Sequence, residues 1–266
     1  MHRSTPRPDG PGGSVALVAL VALVALAYEA GCKKAASSST PEPSASATTR
    51  SATAPSTSRP TRAGAIAAVA VPNDRRVLVV DGEHERPIVY LHGMCGESRP
   101  DLEAWASGAR AHGTVLALDG DAACANGAGR TWSTDIAALD ARIDAAIDAV
   151  ASEDGRALDP SAVVVVGESM GASRAVGLAS RFPAKYTRLV LIGGPETPTR
   201  AALGGTKAVA LLAGENEPQE KMRRGAANLE KAGVDARFWE LAGAAHGEYG
   251  NDGARTMADA LAFVTR

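Results

Sequence analysis

The 266 residues carry a net charge of −2 and only 4% aromatic side chains, which leaves no cationic face for a polyanion and no stacking platform for bases. Nucleic acid is therefore excluded as a partner. Composition changes sharply near residue 63: an apolar and then low-complexity start gives way to an ordinary globular remainder, long enough for one domain with a buried core.

Arg3 and Arg7 precede an apolar run from Val15 to Tyr28. That run is shorter than the roughly 20 residues a bilayer-crossing helix needs, and it reads as the apolar region of a signal peptide. It closes on Ala30-Gly31-Cys32, which resembles the lipobox of bacterial lipoproteins, with Glu29 standing where that pattern has an apolar residue. The resemblance implies a leader over 1–31, a lipid on Cys32, and a membrane-anchored protein of the bacterial cell envelope, or a secreted one if Cys32 stays unmodified. Residues 32–63 are dominated by Ser, Thr, Ala and Pro, which cannot bury enough apolar surface to offset the entropy of ordering. They read as a disordered tether that lets the domain over 64–266 stand off the anchoring surface.

Short β-rich runs follow at 65–71, 76–80, 88–91, 115–118, 163–166, 189–192, 209–213 and 236–241. The later ones are almost continuously apolar, as strands buried on both faces of a parallel sheet are. Helical patterns separate them, at 102–111, 134–151, 172–181, 218–232 and 254–265. The clearest has Ile136, Leu139, Ile143 and Ile147 on one face behind Ser133 as the expected N-cap. The fold class is therefore α/β, a doubly wound and mostly parallel sheet with helices on both faces, whose ligands gather beyond the carboxyl ends of the strands. Cys95 and Cys124 each lie shortly after a predicted strand. With Cys32 lipidated they are an even pair in an oxidising compartment, and a disulfide between them is expected.

The run 163–166 leads straight into Gly167-Glu168-Ser169-Met170-Gly171. A strand reversing this tightly into a helix needs small residues on both sides, and it leaves the serine hydroxyl exposed at the tip. A serine needs a base. Of the five histidines, His2 falls in the leader, while His84 and His112 read as surface residues. His246, in Gly243-Ala-Ala-His-Gly247, follows the last strand in a loop of small residues. The imidazole in turn needs a carboxylate, and Gly214-Glu215-Asn216-Glu217 offers two, with Glu196 a more distant third.

Here the chain resembles the α/β-hydrolase family, over about 66–266. The family order of nucleophile, acid and histidine implies Ser169, Glu217 and His246, with Glu215 the competing acid. His92-Gly93-Met94, directly after the strand ending at Leu91, resembles the family's oxyanion loop, which implies the amides of Met94 and Met170 as oxyanion donors and a supporting role for the His92 ring. The stretch from 192 to 209 is too short for a cap domain. The resemblance implies a serine hydrolase of small or extended acyl and ester substrates, working without metal or organic cofactor. A peptidase or acyltransferase with the same residues, or a binding scaffold without activity, are the alternatives.

Overall fold

The computed structural model describes residues 64–125 and 127–266. The expected leader, tether and lipidated Cys32 lie outside the described residues. Ten strands run in chain order as β1 (Ala67–Val69), β2 (Val77–Val80), β3 (Pro87–Leu91), β4 (Thr114–Leu118), β5 (Ala122–Ala123), β6 (Arg130–Thr131), β7 (Val164–Glu168), β8 (Arg188–Ile192), β9 (Ala208–Gly214) and β10 (Asp235–Leu241). The helices are α1 (Ser98–Trp105), α2 (Ile136–Asp154), α3 (Met170–Arg181), α4 (Glu220–Lys231) and α5 (Gly253–Thr265).

Eight strands form one sheet in the order β1-β2-β4-β3-β7-β8-β9-β10. Pairing is antiparallel at β1/β2 and β2/β4 and parallel from β4 through β10. Every position of β3, β4, β7 and β9 is buried, which is why these strands are apolar runs rather than alternating ones. Their side chains still alternate between two cores. Val89, Val165 and Leu211 meet Leu139, Ile143 and Ile147 of α2, Leu178 of α3 and Leu229 of α4 on one face. Ile88, Val164, Val166 and Leu212 meet Trp105 of α1 and Met257 and Leu261 of α5 on the other.

Two local expectations are corrected, and one small element was not expected. The N-cap of α2 is Asp135, not Ser133: its Oδ1 accepts from the amides of Ala137 and Ala138 at 3.0 Å each, while the Ser133 hydroxyl accepts from Asp135 N–H at 3.4 Å, one step earlier in the turn. Helix α1 starts at Ser98, ahead of the predicted 102, and ends at Trp105 in a 3-10 turn over Ala106–Ala109. Pro100 is no obstacle there, because first-turn amides have no intrahelical acceptor to lose. The small β5/β6 hairpin was not anticipated. Two residues per strand are too few to show a pattern, and the Cys95–Cys124 disulfide, with Cα atoms 5.7 Å apart, ties it to the loop after β3.

Residues 193–207, between β8 and β9, hold no helix or strand, so no helical cap is inserted there. Among the described residues no helix is long and apolar enough to cross a membrane.

Candidate active site

The loops that leave β3, β7, β9 and β10 at their carboxyl ends bring the predicted residues to one edge of the sheet, as parallel pairing requires. Ser169 stands between β7 and α3 at φ 51°, ψ −114°. A non-glycine residue in that region stores about 1–3 kcal/mol of strain. The turn is held open from both sides: Ser169 N–H donates to Ile192 O at 2.8 Å, and its carbonyl accepts from Ala172 N–H at 3.0 Å. A Cβ on Gly167 would lie 2.4 Å from Gly171 O, and one on Gly171 would lie 2.0 Å from Leu91 O. Strand, turn and helix thus pass too closely for any larger residue.

His246 Nε2 lies 3.0 Å from Ser169 Oγ, and His246 Nδ1 lies 2.5 Å from Glu217 Oε2. Glu217 is fixed by its other oxygen, which accepts Gly214 N–H at 2.7 Å, and its side chain is only 8% exposed, against 51% for His246. With a buried acceptor at Nδ1, the neutral ring carries its proton there and turns a lone pair to the serine. Glu215, the competing acid, is exposed and accepts Gly243 N–H at 2.8 Å, bracing the loop that carries His246. Glu196 lies exposed on the 193–207 loop.

The loop after β3 turns at Gly93 to Gly96, closed by Gly96 N–H to Gly93 O at 3.2 Å, with Cys95 at φ 59°. A Cβ on Gly93 would stand 3.3 Å from Ser169 Cβ, so this turn lies against the serine. Met94 is 63% exposed beside it. Met170 opens α3, where an amide has no carbonyl one turn earlier to bind. His92 is fully buried, and burial lowers its pKa, so the ring is neutral. Its Nδ1–H donates to Gly93 O at 2.6 Å and its Nε2 accepts Gly120 N–H at 3.0 Å, while Trp132 Nε1–H donates to its carbonyl at 2.8 Å. Both ring nitrogens are committed, one to the loop after β3 and the other to the chain after β4, so His92 is no candidate base.

Glu168 goes beyond what the sequence indicated. Its carboxylate lies against the Gly93 backbone, whose hydrogen bonding favours the ionised form. Its Oε1, however, also lies 3.7 Å from His246 Nε2, and its side chain is 8% exposed. Burial is the main cause that raises its pKa to about 7; His246 pulls it down, while Asp101 and Glu217 push it further up. Beneath it Tyr90 O–H donates to Asp101 at 2.6 Å and stands 3.0 Å from the hydroxyl of Tyr249. Arg174, the other charged neighbour of the elbow, donates to Trp132 O at 3.2 Å. Among the described residues no group of His, Cys, Asp or Glu is placed to hold a metal ion.

No family model and no curated protein matches the sequence. Solved structures do. The chain is similar to esterase PE8, with a TM-score of 0.53 and 18% identity over 74% of this chain and 100% of that one. It is similar to a carboxylesterase from Mesorhizobium loti, with a TM-score of 0.52 and 19% identity over 73% and 98% of the two chains. The Bacillus cereus carboxylesterase gives a TM-score of 0.52 and 20% identity over 70% and 92%. At these identities the likeness is one of architecture, and it agrees with the strand order, the elbow and the uncapped edge: the chain has the α/β-hydrolase fold.

Proposed function

We propose that this protein is a serine hydrolase that cleaves esters through an acyl-enzyme on Ser169. The observation that carries the reading is the unbroken contact from Ser169 Oγ to His246 at 3.0 Å and from His246 to buried Glu217 at 2.5 Å, mounted on a strained elbow. In this reading His246 Nε2 takes the hydroxyl proton as Oγ attacks the ester carbonyl, and Glu217 stabilises the imidazolium without taking its proton. The amides of Met94 and Met170 bind the oxyanion. The tetrahedral intermediate collapses as Nε2 returns the proton to the departing alcohol, and a water repeats the sequence to free the acid. No step calls for a metal or organic cofactor. The uncapped edge suits substrates that are extended or only partly enclosed.

The test is reaction of the full chain with a fluorophosphonate, with the adduct located by mass spectrometry, beside hydrolysis of a p-nitrophenyl ester. An adduct on Ser169 that both Ser169→Ala and His246→Ala abolish supports the reading. A folded, oxidised protein that takes no label overturns it and leaves the binding scaffold. Envelope anchoring is part of the proposal and rests on the apolar run Val15–Tyr28 behind Arg3 and Arg7 and on Ala30-Gly31-Cys32. Incorporation of an alkyne fatty acid that Cys32→Ala abolishes is the result expected, and an unlabelled chain would count against it.

A further inference from the structure

The imidazole of His246 faces a carboxylate at each nitrogen: Glu217 at 2.5 Å from Nδ1 and Glu168 at 3.7 Å from Nε2. The second does not belong to the Ser169, His246, Glu217 relay. It occupies the side of the ring from which the serine proton arrives, and both its oxygens are committed by position, Oε1 toward His246 and Oε2 against Gly93, where an added Cβ would come within 2.2 Å of it. We propose, resting on the hydrolase reading above, that Glu168 is a positioning residue for His246, whose ionised carboxylate stabilises the imidazolium formed as Ser169 attacks.

The sign follows from distance. The transition state separates charge, with a positive ring and a negative oxyanion near Met94 and Met170. A negative Glu168 lies against the positive end, 3.7 Å from Nε2. In this proposal the attraction outweighs repulsion of the oxyanion, whose charge the amides of Met94 and Met170 would offset in part. Glu168 exchanges no proton during turnover. The serine proton passes to Nε2 and on to the departing alkoxide, and the Glu168 carboxylate acts only through the field it places on the ring.

The surroundings make this charge conditional. The groups facing Glu168 are His246 from the loop after β10, Glu217 from the loop after β9, Asp101 from α1, and Tyr249 between β10 and α5, with Tyr90 of β3 bonded to both Asp101 and Tyr249. Burial and two nearby acids keep the carboxyl neutral until about pH 7, so its contribution switches on within the range in which an esterase is assayed.

The experiment compares wild type with Glu168→Gln, which keeps the shape and an acceptor oxygen beside the Gly93 backbone. The ratio of wild-type to variant kcat, for a p-nitrophenyl ester and for the rate of fluorophosphonate labelling, is followed from pH 5.5 to 9. Comparing the two proteins at each pH isolates what the Glu168 carboxylate adds. The expected ratio is near one at acid pH and climbs to roughly tenfold at pH 8.5, with its midpoint near 7 and KM unchanged. A ratio that is constant with pH, or below one at alkaline pH, overturns the proposal and leaves Glu168 as a packing residue. If the variant fails to fold, Glu168→Asp replaces it: the carboxylate retracts from His246, and a pH-dependent fall in labelling is again expected, a flat profile fatal. A wild type that neither labels nor hydrolyses removes the hydrolase reading and this inference together, whereas labelling with a flat ratio removes only this one.

Discussion

Ser169 is a position of the elbow where function and stability pull apart. Its φ of 51° is a conformation that glycine adopts without strain. Ser169→Gly is therefore expected to be more stable than Ser169→Ala, by about 1 kcal/mol in urea unfolding, although both lose ester hydrolysis. Glu168 presents a similar conflict with a pH label. Its folded-state pKa of about 7 lies above the ordinary 4.5, so the folded protein holds this proton more tightly than the unfolded chain does. Stability associated with the group is intact below pH 4.5 and is lost as pH rises through 7. Glu168→Gln should match wild type in chemical denaturation near pH 4.5 and exceed it by about 3 kcal/mol at pH 8, by the rule of 1.36 kcal/mol per unit. The same substitution that slows the enzyme at alkaline pH would then strengthen its fold there. Glu217→Gln preserves the contacts to Gly214 but not the charge, and a fall in kcat of about 10³–10⁴ with intact stability is the outcome expected of steady-state kinetics.

Among the elements, the loop after β3 is the one held from most directions: the His92 ring inside, the Ser169 turn beside it and a covalent bond to the β5/β6 hairpin. Cys95 and Cys124 are 29 residues apart, and closing such a loop contributes about 3–4 kcal/mol in the chain-entropy account. The double variant Cys95→Ser/Cys124→Ser should lose about that much in denaturant unfolding. Because Cys95 follows Met94 directly, its kcat should fall more than its KM rises. The elements also show what a sequence displays and what it conceals. The strand expected at 163–166 is found at 164–168 and that at 209–213 at 208–214, because burial on both faces writes itself as an unbroken apolar run. Ser133 and Asp135 are both capping residue types, and only the turn geometry selects Asp135. Glu215 and Glu217 lie two residues apart in one loop, and it is the tilt of that loop that sends one to His246 and the other to Gly243. The approach of Glu168 to His246 was not legible at all, because it depends on how two chain segments 78 positions apart come together across the sheet edge.

On the scale of the molecule, the eight-stranded sheet supplies two packed faces and one chemically equipped edge, and the chain spends little on covering that edge. An enclosed acyl pocket discriminates by about 1–3 kcal/mol per methylene. With residues 193–207 forming no cap, kcat/KM across p-nitrophenyl esters of increasing chain length should vary by much less than that per methylene. A steep optimum at one length would show that the edge encloses its substrate after all.

The position of the disulfide within the chain also orders events in time. Cys95 and Cys124 both precede β7, and they lie on the flank built from β3 and β4, which pair directly with each other. A chain made from its N-terminus offers this pair for oxidation before Ser169, Glu217 and His246 have been added. Oxidised at that point, the pair would tie the loop bearing Met94 in place before Ser169 has been added, and the second half of the sheet would assemble against a wall already fixed.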